Sequence, residues 1–94
     1  MEVYLGDSIR MQATLKDYDG TALDPDSHSV KLYDPSETER DSDTNPTQSD
    51  AGVYYSDLTI PSSGTVGLWK VWWEITIDSK TKQAVYEFYV GEAP

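Results

Sequence analysis

Cysteine is absent from the chain, which excludes a disulfide framework, a thiol nucleophile and any zinc site built on thiolates. Histidine occurs once, so a histidine-rich metal centre is excluded and little general-base chemistry remains. Basic residues are scarce as well. Seven lysines and arginines face 17 acids, a formal charge of −10. A surface of that sign does not neutralise phosphate, so no nucleic-acid partner is expected. No run approaches ~18 consecutive apolar residues, and no membrane span is expected. The opening Met1-Glu2-Val3-Tyr4-Leu5 offers neither a basic n-region nor an apolar h-region, and no signal peptide is expected. With 94 residues, the expectation is one domain over 1–94. A chain of this size buries only about 60–65% of its unfolded surface, so its core is thin.

The acidity is concentrated. Between Asp17 and Asp57 there are 11 acids and two bases, a net −9, which leaves −1 for the rest of the chain. Such a region reads as a solvated, self-repelling set of loops, as a face for a basic partner, or as a calcium site.

What the chain does contain is alternation. Ile9, Met11, Ala13 and Leu15 alternate with polar residues, the pattern of a half-buried antiparallel strand. A turn is expected at Asp17-Tyr18-Asp19-Gly20, extended by Asp24-Pro25-Asp26. His28 to Tyr33 forms a shorter strand with Val30 and Leu32 inward, ended by Asp34-Pro35-Ser36 because proline lacks a ladder donor. Residues 34–50 hold no aliphatic or aromatic side chain. They are expected as a long acidic loop, with at most a short edge strand around Glu37 to Asp41.

Alternation resumes after Gly52. Tyr54, Leu58 and Ile60 share one face with Ser56. The strongest strand carries Trp69, Val71, Trp73, Ile75 and Ile77 inward, and the last carries Ala84, Tyr86, Phe88 and Val90. A hairpin turn over Asp78 to Lys82 joins these two. About seven short strands punctuated by turn residues predict an all-β, two-sheet antiparallel sandwich. Inward aromatics supply its core, each burying about 150–250 Å².

Two stretches resemble immunoglobulin-type sandwiches. Asp50-Ala51-Gly52-Val53-Tyr54-Tyr55-Ser56 is similar to the tyrosine-corner segment of that fold, with Ser56 where a disulfide cysteine would stand. The segment precedes two strong strands, whereas in antibody-type domains it lies on the penultimate one. Gly67-Leu68-Trp69-Lys70-Val71-Trp72-Trp73 repeats the Gly-x-aromatic idea on the strand that is penultimate here.

Over nearly its full length the chain resembles small immunoglobulin-like proteins encoded among the virion-assembly genes of tailed bacterial and archaeal viruses. The shared order runs Val3-x-x-Gly6-Asp7-x-Ile9, Asp17-x-Asp19-Gly20, Val30-x-Leu32-x-Asp34-Pro35-Ser36, Gly52-x-Tyr54, Gly67-x-Trp69-x-Val71-x-Trp73 and Phe88-x-Val90. Similar strings occur in macroglobulin-like and carboxypeptidase-regulatory-like modules. The acidic run after Ser36 is a departure, since those relatives usually have a shorter hairpin there. The resemblance implies an immunoglobulin-like sandwich and a non-enzymatic structural protein, at the head surface or head-tail junction. Its implied partners are capsid, portal or tail components. A cell-surface adhesion or carbohydrate-binding module is the alternative.

Sites of chemistry are few. Ser27-His28-Ser29 sets hydroxyls beside the lone histidine, but a triad needs partners placed by the fold. The acids are numerous enough for a glycosidase pair, yet they fall in expected loops without aromatic subsites. Gly64-x-x-Gly67 lacks the lysine-bearing helix start of a phosphate loop. Asp17, Asp19, Asp24 and Asp26 could offer oxygen ligands to calcium, and Asp41 and Asp43 likewise. The first four match only a fragment of a calcium loop and lack its closing glutamate. No cofactor is expected.

The candidate binding surface is aromatic. In immunoglobulin-like order the strands bearing Tyr33, Trp72 and Tyr89 are neighbours, and alternation turns these side chains outward with Leu68 and Val85. Exposed aromatic patches of that kind mark contacts. The competing reading is ordinary cross-strand pairing, with Lys31, Lys70 and Glu87 stems over the rings.

Overall fold

The computed structural model describes residues 2–17 and 19–92. Met1, Tyr18 of the expected Asp17–Gly20 turn, and the last two residues lie outside the described residues. Among the described residues eight strands run in chain order: β1 (Val3–Tyr4), β2 (Ser8–Thr14), β3 (Ser27–Tyr33), β4 (Glu39–Asp43), β5 (Thr47–Asp50), β6 (Val53–Thr59), β7 (Gly67–Ile77) and β8 (Lys80–Gly91). One sheet has the order β1-β8-β7-β3-β4, the other β2-β6-β5. All neighbours are antiparallel except β1 and β8, which pair only through Val3↔Val90 and Tyr4↔Gly91. The fold is an all-β, immunoglobulin-like sandwich of eight strands, against the expected seven or so.

Alternation fixes which side chains meet between the sheets, because a strand's side-chain period is two. On β6, Tyr54, Ser56 and Leu58 turn inward and are buried, followed by Ile60. On β7, Trp69, Val71, Trp73 and Ile75 are buried, Trp69 completely. Its indole Nε1 donates to the Thr65 carbonyl at 2.8 Å, so burying this polar handle leaves no unmet donor. Val30 and Leu32 from β3, Ile9 from β2, and Phe88 and Val90 from β8 complete the layer.

Three expectations are corrected. Residues 34–50 are not one loop. After a turn in which Glu37 adopts φ 65°, β4 pairs with β3, and β5 then crosses to pair with β6 in the other sheet. These edge strands form without apolar side chains because backbone pairing and carboxylate hydrogen bonds hold them. Asp43 Oδ2 accepts from the buried Ser56 hydroxyl at 2.7 Å, and Asp41 Oδ2 accepts from the Thr59 amide at 2.9 Å. Both bonds join one sheet to the other along this side of the sandwich. The β7–β8 turn is also tighter than expected. Ile77 pairs with Lys80, so only Asp78 and Ser79 turn, both at positive φ as a type I′ hairpin requires.

The other correction concerns Tyr86. It lies on the inner face, opposite Val71, yet is 50% exposed, and Ala84 beside it is exposed too. The second sheet is only three strands wide, so nothing covers the inner face of β8 before Phe88.

Candidate functional site

The five candidate residues share the outer face of the larger sheet. Pairing across β3, β7 and β8 sets them in rows: Lys31–Trp72–Val85, then Tyr33–Lys70–Glu87, then Leu68–Tyr89. Trp72 is 39% exposed and Tyr89 66%, with Leu68 and Val85 in between. The rings of Tyr33 and Trp72 lie 6.3 Å apart at 56°. Tyr33, Trp72 and Val85 surround a shallow depression of about 340 Å³ with Glu37, Lys70 and Glu87.

The surface is therefore mixed. The row carrying Lys70 and Glu87 separates Leu68 and Tyr89 from Trp72 and Val85. Lys70 Nζ is 3.0 Å from Glu37 Oε1, a hydrogen bond that pushes the lysine pKa above its ordinary value. Lys31 lies 3.8 Å from Glu39. The outer face thus interleaves apolar side chains with charged pairs. Glu37 was not singled out from the sequence. Its place follows from the Asp34-Pro35-Ser36 turn, which brings it back over Lys70.

Asp34 organises that turn. One of its oxygens accepts from the Ser36 amide and hydroxyl and from the Thr38 amide at 2.7–3.0 Å, while the other meets Arg40 at 3.2 Å. These bonds, the Ser36 hydroxyl foremost, lower its pKa to about 2.

The smaller sheet presents a different outer face. Arg10 bridges Asp57 through two nitrogens at 2.7 and 2.9 Å and stacks over the Tyr55 ring at 4.1 Å. Such internally satisfied charge offers a partner little to anchor on.

The four calcium candidates are not brought together. Asp17 Oδ1 accepts from the amides of Asp19 and Thr21, and Asp19 Oδ1 from the amide and hydroxyl of Thr21. Asp24 Oδ1 accepts from the Tyr54 hydroxyl at 2.8 Å and from Gln48, and Asp26 Oδ2 from the Asp78 amide. Among the described residues no three carboxylate, histidine or cysteine side chains converge as ligands. The Tyr54 bond also distinguishes this chain from the tyrosine corner that its sequence resembles. The hydroxyl is held by a side chain 30 residues upstream, and burial, with that carboxylate, raises its pKa.

His28 is a packing residue. Its ring meets Tyr54 edge-on at 4.9 Å, its Nδ1 is buried without a partner, and burial lowers its pKa.

No protein-family model matches the chain, and a comparison with curated proteins finds no match. Among solved structures it is similar to Escherichia coli alpha-2-macroglobulin activated by porcine elastase, with a TM-score of 0.71 and 20% identity. The match covers 93% of this chain and 7% of that protein. At this identity the likeness is one of fold.

Proposed function

We propose that this domain is a non-enzymatic protein-binding module, a structural subunit of a tailed-virus particle that docks through the outer face of its five-stranded sheet. The observation that carries the docking face is the row arrangement of Trp72, Val85, Leu68 and Tyr89, all exposed on one surface. Trp and Tyr are the usual anchors of protein interfaces. The virion setting rests on the sequence resemblance. The 56° tilt between Tyr33 and Trp72 keeps the two rings from forming one shared flat platform, which supports a protein occupant over a carbohydrate laid across both. The titratable groups at the depression include Glu37 and Lys70, which are paired with each other; a non-enzymatic role is consistent with that. Several copies bound to one shell would each gain stability by mass action.

The test is expression of the tagged wild-type chain and of the Trp72→Ala/Tyr89→Ala variant in the organism that carries the gene. Mass spectrometry of purified virus particles then reads incorporation. Loss of the variant from particles, with its folded spectrum retained, supports the reading. Equal incorporation of both, or wild-type chain confined to the cell surface, refutes it.

A further inference from the structure

The side of the sandwich opposite the Asp43–Ser56 staple is open. There a cleft of about 710 Å³ runs between β2 and β8. Met11, Ala13 and Leu15 line it from the β2 side, Ala84 and Tyr86 from β8, and Ile77 from β7. Both walls are sheet edges. Among the described residues β2 pairs only with β6, and β8 pairs with β1 only at Val90 and Gly91, so Lys80 to Glu87 present a free ladder on that side. Free backbone donors and acceptors beside an apolar trough call for one kind of occupant, an extended strand.

The charged side chains narrow the choice. Lys16 and Lys82 line the cleft, and no acid does. Among the described residues neither lysine has an ion pair, on a chain whose net charge is −10. Lys82 pairs with Ile75 and so stands on the inner face, a placement that disfavours pairing of this edge with its own copy. A second copy is a poor donor for a further reason. Its edges away from the cleft, β4 and β5 (Glu-Arg-Asp-Ser-Asp and Thr-Gln-Ser-Asp), bring no apolar side chain to fill the trough, and its own β8 edge carries the same inward Lys82.

The geometry points to a strand-acceptor site: the β2–β8 cleft takes an extended segment of a different protein, with apolar side chains at alternate positions and a carboxylate at the end that meets Lys16 and Lys82. The segment lies in line with β1 and completes the edge that β1 leaves open. The cleft and the proposed docking face meet at Val85, which borders both, while Trp72 lines only the depression on the docking face and Ala84 and Tyr86 line only the cleft.

The test is selection from a displayed library of random linear peptides against the wild-type domain. Enriched peptides are expected to alternate apolar residues and to end in an acid. Bound, they are expected to slow amide exchange on β2 and on Lys80 to Glu87. Ala84→Arg, at an exposed position, is expected to weaken binding by at least about tenfold. Lys82→Glu is expected to shift selection from acidic to basic termini. Trp72→Ala/Tyr89→Ala is expected to bind as wild type. The proposal is overturned by any of four results: no enrichment, protection confined to β4 or β5, retention of the acidic preference by Lys82→Glu, or protection of β8 without peptide that grows with protein concentration. None of these bears on the docking face, whose own test uses different residues.

Discussion

Three tryptophans lie on one strand, and the structure assigns them unequal weights. Trp69 is fully buried, whereas Trp72 is 39% exposed on the opposite face. Replacing Trp69 with alanine removes the largest buried side chain and leaves the Thr65 carbonyl without its donor. Losses of that kind cost about 3–5 kcal/mol. A 94-residue domain has a total stability of only about 5–14 kcal/mol, so Trp69→Ala sits close to unfolding. Trp72→Ala forfeits cross-strand contacts with Lys31 and Val85 and the tilted contact with Tyr33. At about 0.2–1 kcal/mol for each of the three contacts, the sum is about 0.6–3 kcal/mol. Urea unfolding followed by far-UV circular dichroism separates the two, since the midpoint of a mainly backbone signal is read rather than its amplitude. With a slope of about 1–1.5 kcal/mol per molar urea, Trp69→Ala lowers the midpoint by about 2–5 M and Trp72→Ala by about 0.4–3 M, at or below the bottom of the Trp69 range for most of its span. Equal costs for the two, or a Trp69→Ala midpoint within about 0.5 M of wild type, would refute the inward–outward assignment on which the docking face depends.

Two further outcomes follow from local geometry. Asp34 titrates at about 2 in the folded chain against an ordinary 3.8, so its stabilisation is complete above about pH 4 and is lost as pH falls toward 2. Asp34→Asn is therefore expected to be less stable than wild type at neutral pH and to converge with it at pH 2. Parallel stability curves across that window would count against the assignment. Gly52 has φ +70°, and a Cβ there would lie 2.7 Å from the Leu15 carbonyl oxygen, whose residue also donates its amide to the Gly52 carbonyl. Gly52→Ala should cost about 2 kcal/mol or more, from left-handed strain plus displacement of that backbone. Denaturant unfolding reads the loss, and a change under about 0.5 kcal/mol contradicts the close approach.

Much of this arrangement was legible in the residues. Strict alternation on β6 and β7 determines which side chains turn inward, because neighbouring residues on a strand point to opposite faces. The outward set Tyr33, Leu68, Trp72, Val85 and Tyr89 follows from the same period once strand order is known. Other features depended on what lies across from each strand. Tyr86 alternates like a core residue, but burial needs a second layer, and the smaller sheet ends before reaching it. Asp41 and Asp43 read as loop acids because composition marks residues 34–50 as unable to bury anything. Their real partners, Thr59 and Ser56, belong to the opposite sheet. Tyr54 and Asp24 are likewise joined only by folding. Local pattern carries orientation along a strand; the width and offset of the facing sheet decide which inward positions are covered, and here they leave the β2–β8 side open.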